Sequence, residues 1–330
     1  MTGQSAAGPC EKVRAFWVMR PGRGRIRSQP MPPVAPGEVV VRSRYGGVSR
    51  GTETLVFRGE VPDRLAGRMR CPFQEGEFPG PVKYGYSTVG TVISGPGRGR
   101  EVFALHPHQD VMVLPEDASR PLPRGVPPSR AVLAPGMETA LNALWDARPD
   151  RDQQVCVVGA GVIGLLVGYL ARRLAGARVE VVDLKPARGE VARRLGLGFA
   201  GEPRHAGTLL FHASGTPAGL RACLAAAGFE ARIVELSWYG TRPVTLPLGE
   251  DFHDRRLSII SSQVGVVAPR YRVRWSRARR LDRALELLRD ERLDALIDSE
   301  GAFEDLPADM VELSAGRRAA LCHRVVYPAA

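Results

Sequence analysis

The sequence predicts a mixed α/β fold in which a small β-barrel-like domain precedes a doubly wound parallel sheet. The first third of the chain contains short β-branched runs separated by many prolines and glycines, which is typical of strands joined by turns. Strand and helix patterns alternate through the middle, which favours a parallel sheet with helices on both faces. A glycine-rich segment joins the first strand of this middle region to its first helix.

The first third is predicted to be a β domain that ends in a helix. Strands are expected at residues 38–43, 87–94 and 101–104. Turn residues precede two of these runs, namely a Pro-Gly pair and a Gly-Arg-Gly-Arg sequence. From Pro128 the pattern becomes helical and continues through residues 139–144.

The rest of the chain is assigned from apolar runs and helix signals. Strands are predicted at residues 154–158, 179–183, 208–212, 231–236, 257–261 and 321–327. Helices are predicted at residues 162–175, 187–195, 277–290 and 306–314. One more helix begins with Thr216 as its cap and Pro217 at its first position.

The bulk composition is that of a folded globular protein. A chain of 330 residues is long enough for two domains, and 44 % hydrophobic with 25 % charged residues is ordinary. The formal net charge of +11 comes almost entirely from arginine, which is spread along the sequence. Because charge alone supports only non-specific attraction to polyanions, we predict no specific nucleic-acid partner. The positive field of the protein is expected to attract an acidic small substrate rather than a nucleic acid.

Five cysteines are spread along the chain, at Cys10, Cys71, Cys156, Cys223 and Cys322. Since no two stand at CxxC spacing, they indicate neither a metal clip nor the disulfide framework of a secreted protein. The first ten residues are small and polar and do not resemble a signal sequence. The apolar run at 155–174 is broken by glycines and is not predicted to span a membrane. The sequence therefore predicts a cytoplasmic protein.

A GxGxxG motif follows the first strand of the middle region directly. It consists of Gly159, Gly161 and Gly164, with Val162 and Ile163 inside it. Gly159 allows a tight turn, Gly161 lets the backbone approach a pyrophosphate, and Gly164 permits close packing of helix on strand. The helix N-terminus adds free N–H groups and a positive dipole end. This context predicts a dinucleotide site of the Rossmann type, and the alternative is a glycine-rich turn in an unrelated α/β protein.

Asp183 bears on which dinucleotide binds. It ends the second strand of the middle region, where a carboxylate can bind the two hydroxyls of the adenosine ribose. The same charge repels the 2′-phosphate of NADP, so NAD is the predicted cofactor. Lys185 and Arg188 follow closely, and their positive charge leaves NADP possible.

With this motif in a second domain, the chain resembles the medium-chain dehydrogenase/reductases over nearly its whole length. The resemblance implies a GroES-like β-barrel catalytic domain at residues 1–145 and a Rossmann NAD(P)-binding domain at residues 146–270. Residues 271–330 are then expected to return to the catalytic domain.

The resemblance does not extend to the zinc sites of this superfamily. Ser49 in the segment GVSRGTE, Tyr86 in GYS, and Pro135 or a neighbour in PGMET stand where zinc-dependent members carry the catalytic ligands. None of these side chains binds zinc, and the clustered four cysteines of the structural zinc lobe are absent. The sequence therefore predicts a zinc-independent member.

One segment points to a branch within the superfamily. Residues 49–62 (SRGTETLVFRGEVP) look most like the bacteriochlorophyllide hydroxyethyl dehydrogenase branch. That branch lacks zinc and oxidises a secondary alcohol with NAD, so the resemblance implies a reaction type more than a substrate. The short connection between residues 198 and 208 departs from the family pattern.

Without a metal, hydride transfer needs another group that stabilises the negative charge developing on the substrate oxygen. Tyr86 occupies the position of a missing ligand and is the leading proton donor, with a passive tyrosine of the pocket wall as the alternative. Ser49 and Thr52 are expected to hydrogen-bond the substrate or relay a proton, or else only to cap their turn.

Two carboxylates and a histidine pair extend the predicted catalytic set. Glu53 and Glu138 are expected to orient the ribose or act as a base, although Glu53 has a salt bridge with Arg50 as its alternative. His106 and His108 invite a metal hypothesis, but no third ligand is evident. A substrate-lining or proton-relay role is favoured for one of them, and His108 is the candidate.

Further cofactor contacts are expected beyond the carboxyl ends of the parallel strands, where ligands bind in such sheets. Ser214 and Gly215 follow one strand, and Trp238 and Tyr239 follow the next. The two aromatic residues have packing as their alternative role. His253 is interpreted as a surface histidine.

The resulting hypothesis is a zinc-independent, NAD-dependent dehydrogenase that acts on a small secondary alcohol or its carbonyl. One alternative is an NADPH-dependent quinone or enoyl reductase, and another is a non-catalytic dinucleotide-binding protein. A homodimer is expected through the strand at 257–261 and the apolar residues 264–267.

Overall fold

The computed structural model describes residues 12–204 and 207–329. Cys10 and the polar first ten residues, on which part of the compartment prediction rests, lie outside the described residues. Within the described part of the chain, the four cysteines are free and buried. No helix of that part is long and apolar enough to cross a membrane.

The elements are named here in chain order. The strands are β1 (Lys12–Arg20), β2 (Arg23–Pro30), β3 (Glu38–Val48), β4 (Glu75–Gly76), β5 (Val82–Lys83), β6 (Thr88–Ser94), β7 (Glu101–Ala104), β8 (Val111–Pro115), β9 (Arg120–Pro121), β10 (Gln154–Val158), β11 (Arg178–Val182), β12 (Gly198–Ala200), β13 (Gly207–His212), β14 (Ala227–Glu235), β15 (Ser258–Ser261), β16 (Ile297–Ala302) and β17 (Cys322–Val326). The α-helices are α1 (Thr52–Phe57), α2 (Pro128–Ala131), α3 (Ala134–Ala147), α4 (Val162–Leu170), α5 (Arg188–Arg194), α6 (Pro217–Ala226), α7 (Asp251–Asp254), α8 (Arg277–Leu287) and α9 (Leu306–Ser314).

The first third of the chain and the carboxyl-terminal strands build one β domain. Its larger sheet has the order β16-β17-β3-β6-β7-β9, and β8 also pairs with β3. Val39 and Val41 of β3 alternate into the core and are fully buried, as expected for a strand with one covered face. The late strand β17 runs antiparallel to β3, with Val325 opposite Gly46. The chain therefore returns to its first domain at its end.

A second small sheet in this domain was not predicted. It has the order β2-β1-β5-β4, and β1 and β2 form an antiparallel hairpin. β1 contributes Phe16 and Val18 to the core, whereas most of β2 is exposed and contains three arginines. Since β2 has almost no apolar alternation, its sequence lacks the usual strand signal.

The middle of the chain forms a six-stranded parallel sheet with the order β12-β11-β10-β13-β14-β15. Numbered along the chain, this is the 3-2-1-4-5-6 order of doubly wound dinucleotide-binding sheets. The fold class predicted from the sequence is confirmed. The order reverses between β10 and β13, and ligands of such sheets bind in the crevice at that point.

Three details differ from the sequence predictions. The short connection after residue 198 contains an additional strand, β12, that pairs with β11. The predicted helix at 162–175 is α-helical only to Leu170 and ends in a wider π turn. The predicted helix at 277–290 ends at Leu287. β15 is the edge strand of the parallel sheet, as the dimer prediction assumed, and residues 264–267 after it form neither helix nor strand.

The helix α3 connects the two sheets physically. Met137 and Leu141 of α3 share one buried core with Leu165 of α4 and Leu285 of α8. Full burial of side chains of this kind stabilises the fold by about 1.5–3 kcal/mol each. This shared core holds α4, which follows the glycine-rich turn, against α3 and α8.

Candidate active site

The glycine motif has the geometry that a phosphate cradle requires. Gly159 has φ +110°, and a Cβ on it would lie 2.6 Å from the backbone nitrogen of Ser214. A Cβ on Gly164 would overlap the carbonyl oxygen of Gly159, so the helix packs on the turn as predicted. Gly161 faces open space and begins α4 without a side-chain cap. The first N–H groups of a nine-residue helix are thus directed at an open cradle, where they suit a diphosphate.

Asp183 follows β11 and is held in place by the backbone. Its Oδ2 accepts from the Ala160 N–H at 2.8 Å, and its Oδ1 accepts from the Lys185 N–H at 2.9 Å. A carboxylate has about four acceptor positions, so each oxygen keeps one for a ribose hydroxyl. These contacts tie the acid directly to the glycine turn.

Arg188 is not available to bind the 2′-phosphate of NADP, the role suggested for it from the sequence. Its guanidinium donates to Asp298 at 3.2 Å and to the Ala319 carbonyl at 3.1 Å, and the residue is 8 % exposed. It therefore connects α5 to the β domain and is not free to bind a 2′-phosphate. Lys185 remains exposed beside Asp183.

The loop that follows β14 meets the catalytic domain. Trp238 is partly buried and packs on the same hydrophobic cluster of the β domain as Tyr86. Gly240 lies so close to Glu60 that a Cβ on it would be 2.5 Å from the Glu60 carbonyl oxygen. Trp238 therefore packs on the β domain from the loop that follows β14, and its role in the cofactor wall stays a prediction.

The structure brings Tyr86, Ser49 and Thr52 together. Burial and the nearby charge of Glu53 hold the pKa of the Tyr86 phenol well above its usual value. Hydrogen bonding with the Ser49 and Thr52 side chains lowers that pKa by less than burial raises it. The phenol therefore stays protonated and can donate a hydrogen bond at any working pH.

Glu53 binds His108 rather than Arg50. The His108 Nε2 lies 2.9 Å from a Glu53 carboxylate oxygen, and the other oxygen accepts from the Ser49 N–H at 2.8 Å. Arg50 instead donates to the Ala320 carbonyl. The alternative of a Glu53–Arg50 salt bridge is therefore wrong. The Glu53 carboxylate fixes the backbone at Ser49, next to the predicted proton donor.

The two histidines lie deeper than the sequence suggested. His108 is fully buried, and its Nδ1 has no partner among the described residues. Full burial argues against the substrate-lining role predicted for His108, whereas its contact with Glu53 keeps the proton-relay role a prediction. Burial lowers the pKa of His106 to about 3, so that ring is neutral, and its Nδ1 lies 2.9 Å from the Pro107 carbonyl oxygen.

Glu138 is engaged in a buried ion pair, which argues against its predicted catalytic role. Its carboxylate accepts from the Arg280 guanidinium at 3.0 Å, and both side chains are buried. The same guanidinium donates to Asn142 at 2.5 Å and to the Val264 carbonyl. The pair joins α3 to α8, and loss of either partner would leave the other charge buried and unpaired.

The residues at the zinc positions do not fit a zinc ion. Ser49, Tyr86 and Pro135 supply neither thiolate nor imidazole. Burial raises the pKa of the nearby Cys71 thiol to about 12, so it is not a ready thiolate ligand. Among residues 12–204 and 207–329, no group of three His, Cys, Asp or Glu side chains is arranged to hold a metal.

Two residues at the strand ends were missed by the sequence interpretation. His212 ends β13 and Glu235 ends β14, and the two are cross-strand neighbours. The His212 Nε2 lies 2.6 Å from the Ser214 hydroxyl, which belongs to the predicted cofactor wall. A polar residue at the end of each of two apolar runs was the available signal.

Comparisons with known proteins agree with this architecture. No family model matches the chain. D-guloside 3-dehydrogenase from Escherichia coli K12 is 24 % identical over 311 residues, covering 83 % of this chain and 88 % of the relative. A putative zinc-binding dehydrogenase from Sinorhizobium meliloti 1021 bound to NADP superposes with a TM-score of 0.76 at 16 % identity, covering 96 % of this chain and 100 % of the other. The 2R,3R-butanediol dehydrogenase from Bacillus subtilis gives a TM-score of 0.74 at 17 % identity, with the same coverage of both chains.

The fold is that of the medium-chain alcohol dehydrogenases. At these identities, the likeness to solved structures establishes the architecture alone, namely a β domain with an inserted six-stranded parallel sheet. Chemistry has to be argued from the residues at the site.

Proposed function

We propose that the chain is an NAD(P)-dependent dehydrogenase that transfers hydride between nicotinamide and a secondary alcohol or its carbonyl without zinc. The observation that carries this proposal is the junction of two features. An open glycine cradle with Asp183 stands on one side, and the cluster of Tyr86, Ser49 and Thr52 stands on the other. Trp238, on the loop that follows β14 of the parallel sheet, packs against the same β-domain cluster as Tyr86, which favours a shared site.

The nicotinamide ring, when bound, supplies or accepts the hydride. The Tyr86 phenol donates a hydrogen bond to the substrate oxygen and gives up its proton as that oxygen becomes an alkoxide, the stronger base. Ser49 and Thr52 orient the phenol through their hydrogen bonds to it. The charge of Glu53 keeps Tyr86 protonated before the reaction, and the Glu53–His108 pair holds the segment at Ser49 in place.

NAD is the proposed physiological cofactor. The Asp183 carboxylate favours a ribose with two free hydroxyls and repels a 2′-phosphate. Arg188 is bound to Asp298 and Ala319, which leaves Lys185 as the nearby cation. This arrangement supports NAD over NADP more strongly than the sequence did.

A secondary alcohol is favoured over the alternative of an activated double bond. The relatives include a D-guloside 3-dehydrogenase and a butanediol dehydrogenase, names that denote oxidation at secondary carbons. We propose a small secondary alcohol as the substrate class, and a homodimer formed at the exposed edge strand β15. A cytoplasmic location and the bacteriochlorophyllide branch stay predictions.

Turnover separates the candidate functions. The purified protein is incubated with NAD and a panel of secondary alcohols, including sugars, polyols and 2,3-butanediol, and NADH formation is measured. A parallel panel offers NADPH with quinones and α,β-unsaturated ketones. We expect NADH formation with at least one alcohol. Turnover confined to the second panel would favour the reductase, and tight NADH binding without any turnover would favour a non-catalytic role.

A further inference from the structure

The segment that follows β15 concentrates positive charge on the surface. No acidic residue occurs between positions 255 and 281, whereas the sequence PRYRVRWSRAR at 269–279 contains five arginines. All five are exposed, namely Arg270, Arg272, Arg274, Arg277 and Arg279. They supply five positive charges in a chain whose formal net charge is +11. A short stretch of surface therefore carries a large share of the excess charge.

The folded protein leaves these charges unbalanced. Arg272 and Arg279 donate to backbone carbonyls, and across the described residues none of the five arginines forms an ion pair with a carboxylate. Two acids, Glu138 and Asp146, lie within electrostatic reach of the segment. Glu138 is bound to Arg280, and Asp146 accepts from a serine hydroxyl. The positive field of the segment is therefore directed at the solvent.

An aromatic stack supports the segment on α3. The rings of Tyr271 and Trp145 are nearly parallel, with centroids 4.5 Å apart, and the Trp275 ring lies 5.0 Å from that of Trp145. The Arg279 guanidinium lies 5.2 Å from the centroid of the Trp275 ring. Val273, which stands between two arginines, is 94 % exposed. Residues 269–279, here called the basic platform, thus combine a supported backbone, several free cations and one projecting apolar side chain.

The aromatic contacts disfavour a nucleic acid as the partner of the basic platform. Single strands bind basic surfaces by stacking their bases on exposed aromatic faces. Here the Tyr271 ring is stacked on Trp145, and the Trp275 ring is covered by Arg279. The helix α8, which continues the platform, also carries acids that repel phosphates, namely Asp282 and Glu286. A nucleic acid would therefore gain charge attraction without base stacking.

A second copy of this chain is also a poor partner for the basic platform. A symmetric contact would place the platform against itself and oppose five arginines to five others. An anionic lipid surface instead suits both of its features. Negative head groups attract arginines, and the boundary between head groups and acyl chains accepts an apolar side chain such as Val273.

We propose that the basic platform docks the protein on an anionic lipid surface, with Arg270, Arg274 and Arg277 at the head groups and Val273 at the acyl boundary. Each arginine near such a surface strengthens binding by about fivefold. The attachment is peripheral, in keeping with the absence, among the described residues, of a helix that could cross a membrane.

Binding of the full chain to vesicles tests this proposal. Vesicles of phosphatidylcholine alone are compared with vesicles containing about one third phosphatidylglycerol, and bound protein is measured by co-sedimentation at low and high salt. We expect binding to the anionic vesicles only, weakened by salt. The combined changes Arg270→Gln, Arg274→Gln and Arg277→Gln should weaken it roughly 100-fold. Val273→Ser should weaken it at least about threefold, because less apolar surface then leaves water.

A triple variant with the same net charge separates the platform from charge in general. Arg25→Gln, Arg98→Gln and Arg178→Gln remove exposed arginines from β2, from the turn between β6 and β7, and from β11. Together they should weaken vesicle binding by less than about threefold. Equal losses in the two triple variants, or a wild type that does not bind anionic vesicles, would overturn the proposal.

A single-stranded oligonucleotide serves as the competing ligand. We expect it to bind more weakly than anionic vesicles, with an affinity that Val273→Ser does not change. Tighter oligonucleotide binding, together with vesicle binding that is insensitive to Val273→Ser, would assign the platform to nucleic acid and contradict the lipid proposal. Thermal unfolding checks that each variant is folded. NADH affinity should stay at the wild-type value in every variant, so this test does not depend on the proposed function.

Discussion

Replacement of Asp183 by serine should reverse the cofactor preference. The carboxylate and a 2′-phosphate of charge about −1.5 to −2 would lie within a few ångströms of each other. Two unit charges 4 Å apart repel by about 1 kcal/mol in water and by about 4 kcal/mol at an effective dielectric constant of 20. Because Asp183 is partly exposed, a value near the lower limit applies, and removal of the charge should tighten NADPH binding by about 2 kcal/mol, or roughly 30-fold.

The same substitution should weaken NADH binding. A hydrogen bond to a charged group contributes about 1.5–3 kcal/mol, so loss of the ribose contact should cost roughly 10- to 100-fold in affinity. The ratio of the two dissociation constants should therefore change by a factor of roughly 300 to 3,000. Titration of nicotinamide fluorescence with both nucleotides measures this ratio directly and needs no substrate.

Two further variants separate charge from loop structure. Asp183→Asn removes the charge but keeps an acceptor for one of the two N–H groups that hold the loop. Glu180→Gln neutralises another acid of β11, which accepts from the Arg204 N–H, and should leave the ratio unchanged. A wild type that prefers NADPH, or an unchanged ratio in both Asp183 variants, would refute the assignment of this carboxylate.

Three other outcomes follow from the structure. Tyr86→Phe should lower turnover by about 10²–10⁴-fold with little change in NADH affinity, since it removes the proton donor and keeps the ring. The matched control Tyr84→Phe, on a buried neighbouring ring, should retain most of the activity; equal losses in both would indicate packing rather than proton donation. Arg188→Ala should leave NADPH affinity within about twofold of the wild type, because its guanidinium binds Asp298 and the Ala319 carbonyl, and a larger loss in the same titration would restore it as a phosphate partner. Light scattering should give a dimer mass, and a monomer over a wide concentration range would rule out association through β15.

The parallel sheet was predictable because its signals are local. Each strand is a short apolar run, each helix follows within a few residues, and the glycine turn has a spacing with a direct physical meaning. The hairpin β1–β2 was missed because the arginine-rich β2 lacks apolar alternation. The helix α1 was missed because it has only six residues and no side-chain cap.

The site was predictable only where one segment carries it. Gly159, Gly161, Gly164 and Asp183 belong to a motif of fixed spacing, so their proximity could be predicted. The contact of Glu138 with Arg280 joins residues far apart in the chain, and no local pattern indicates it. Pairings of this kind depend on packing between helices, which a single sequence does not provide.

The His212–Glu235 pair is an intermediate case. Each residue ends an apolar strand, which the sequence shows, but their contact depends on the register between β13 and β14. A one-residue shift of that register would turn one side chain to the other face of the sheet. Register therefore decides whether two polar strand ends form a network or remain separate.

Zinc content of an active sample tests the central claim most directly. The protein is purified without an affinity tag, analysed for metals, and assayed for NADH formation with an alcohol that it oxidises. We expect substoichiometric zinc and activity that a chelator does not reduce, because Ser49, Tyr86 and Pro135 offer no ligands. About one zinc per chain, with activity lost to the chelator and restored by the metal, would contradict the proposal. In that case zinc, and not the Tyr86 phenol, would stabilise the charge on the substrate oxygen.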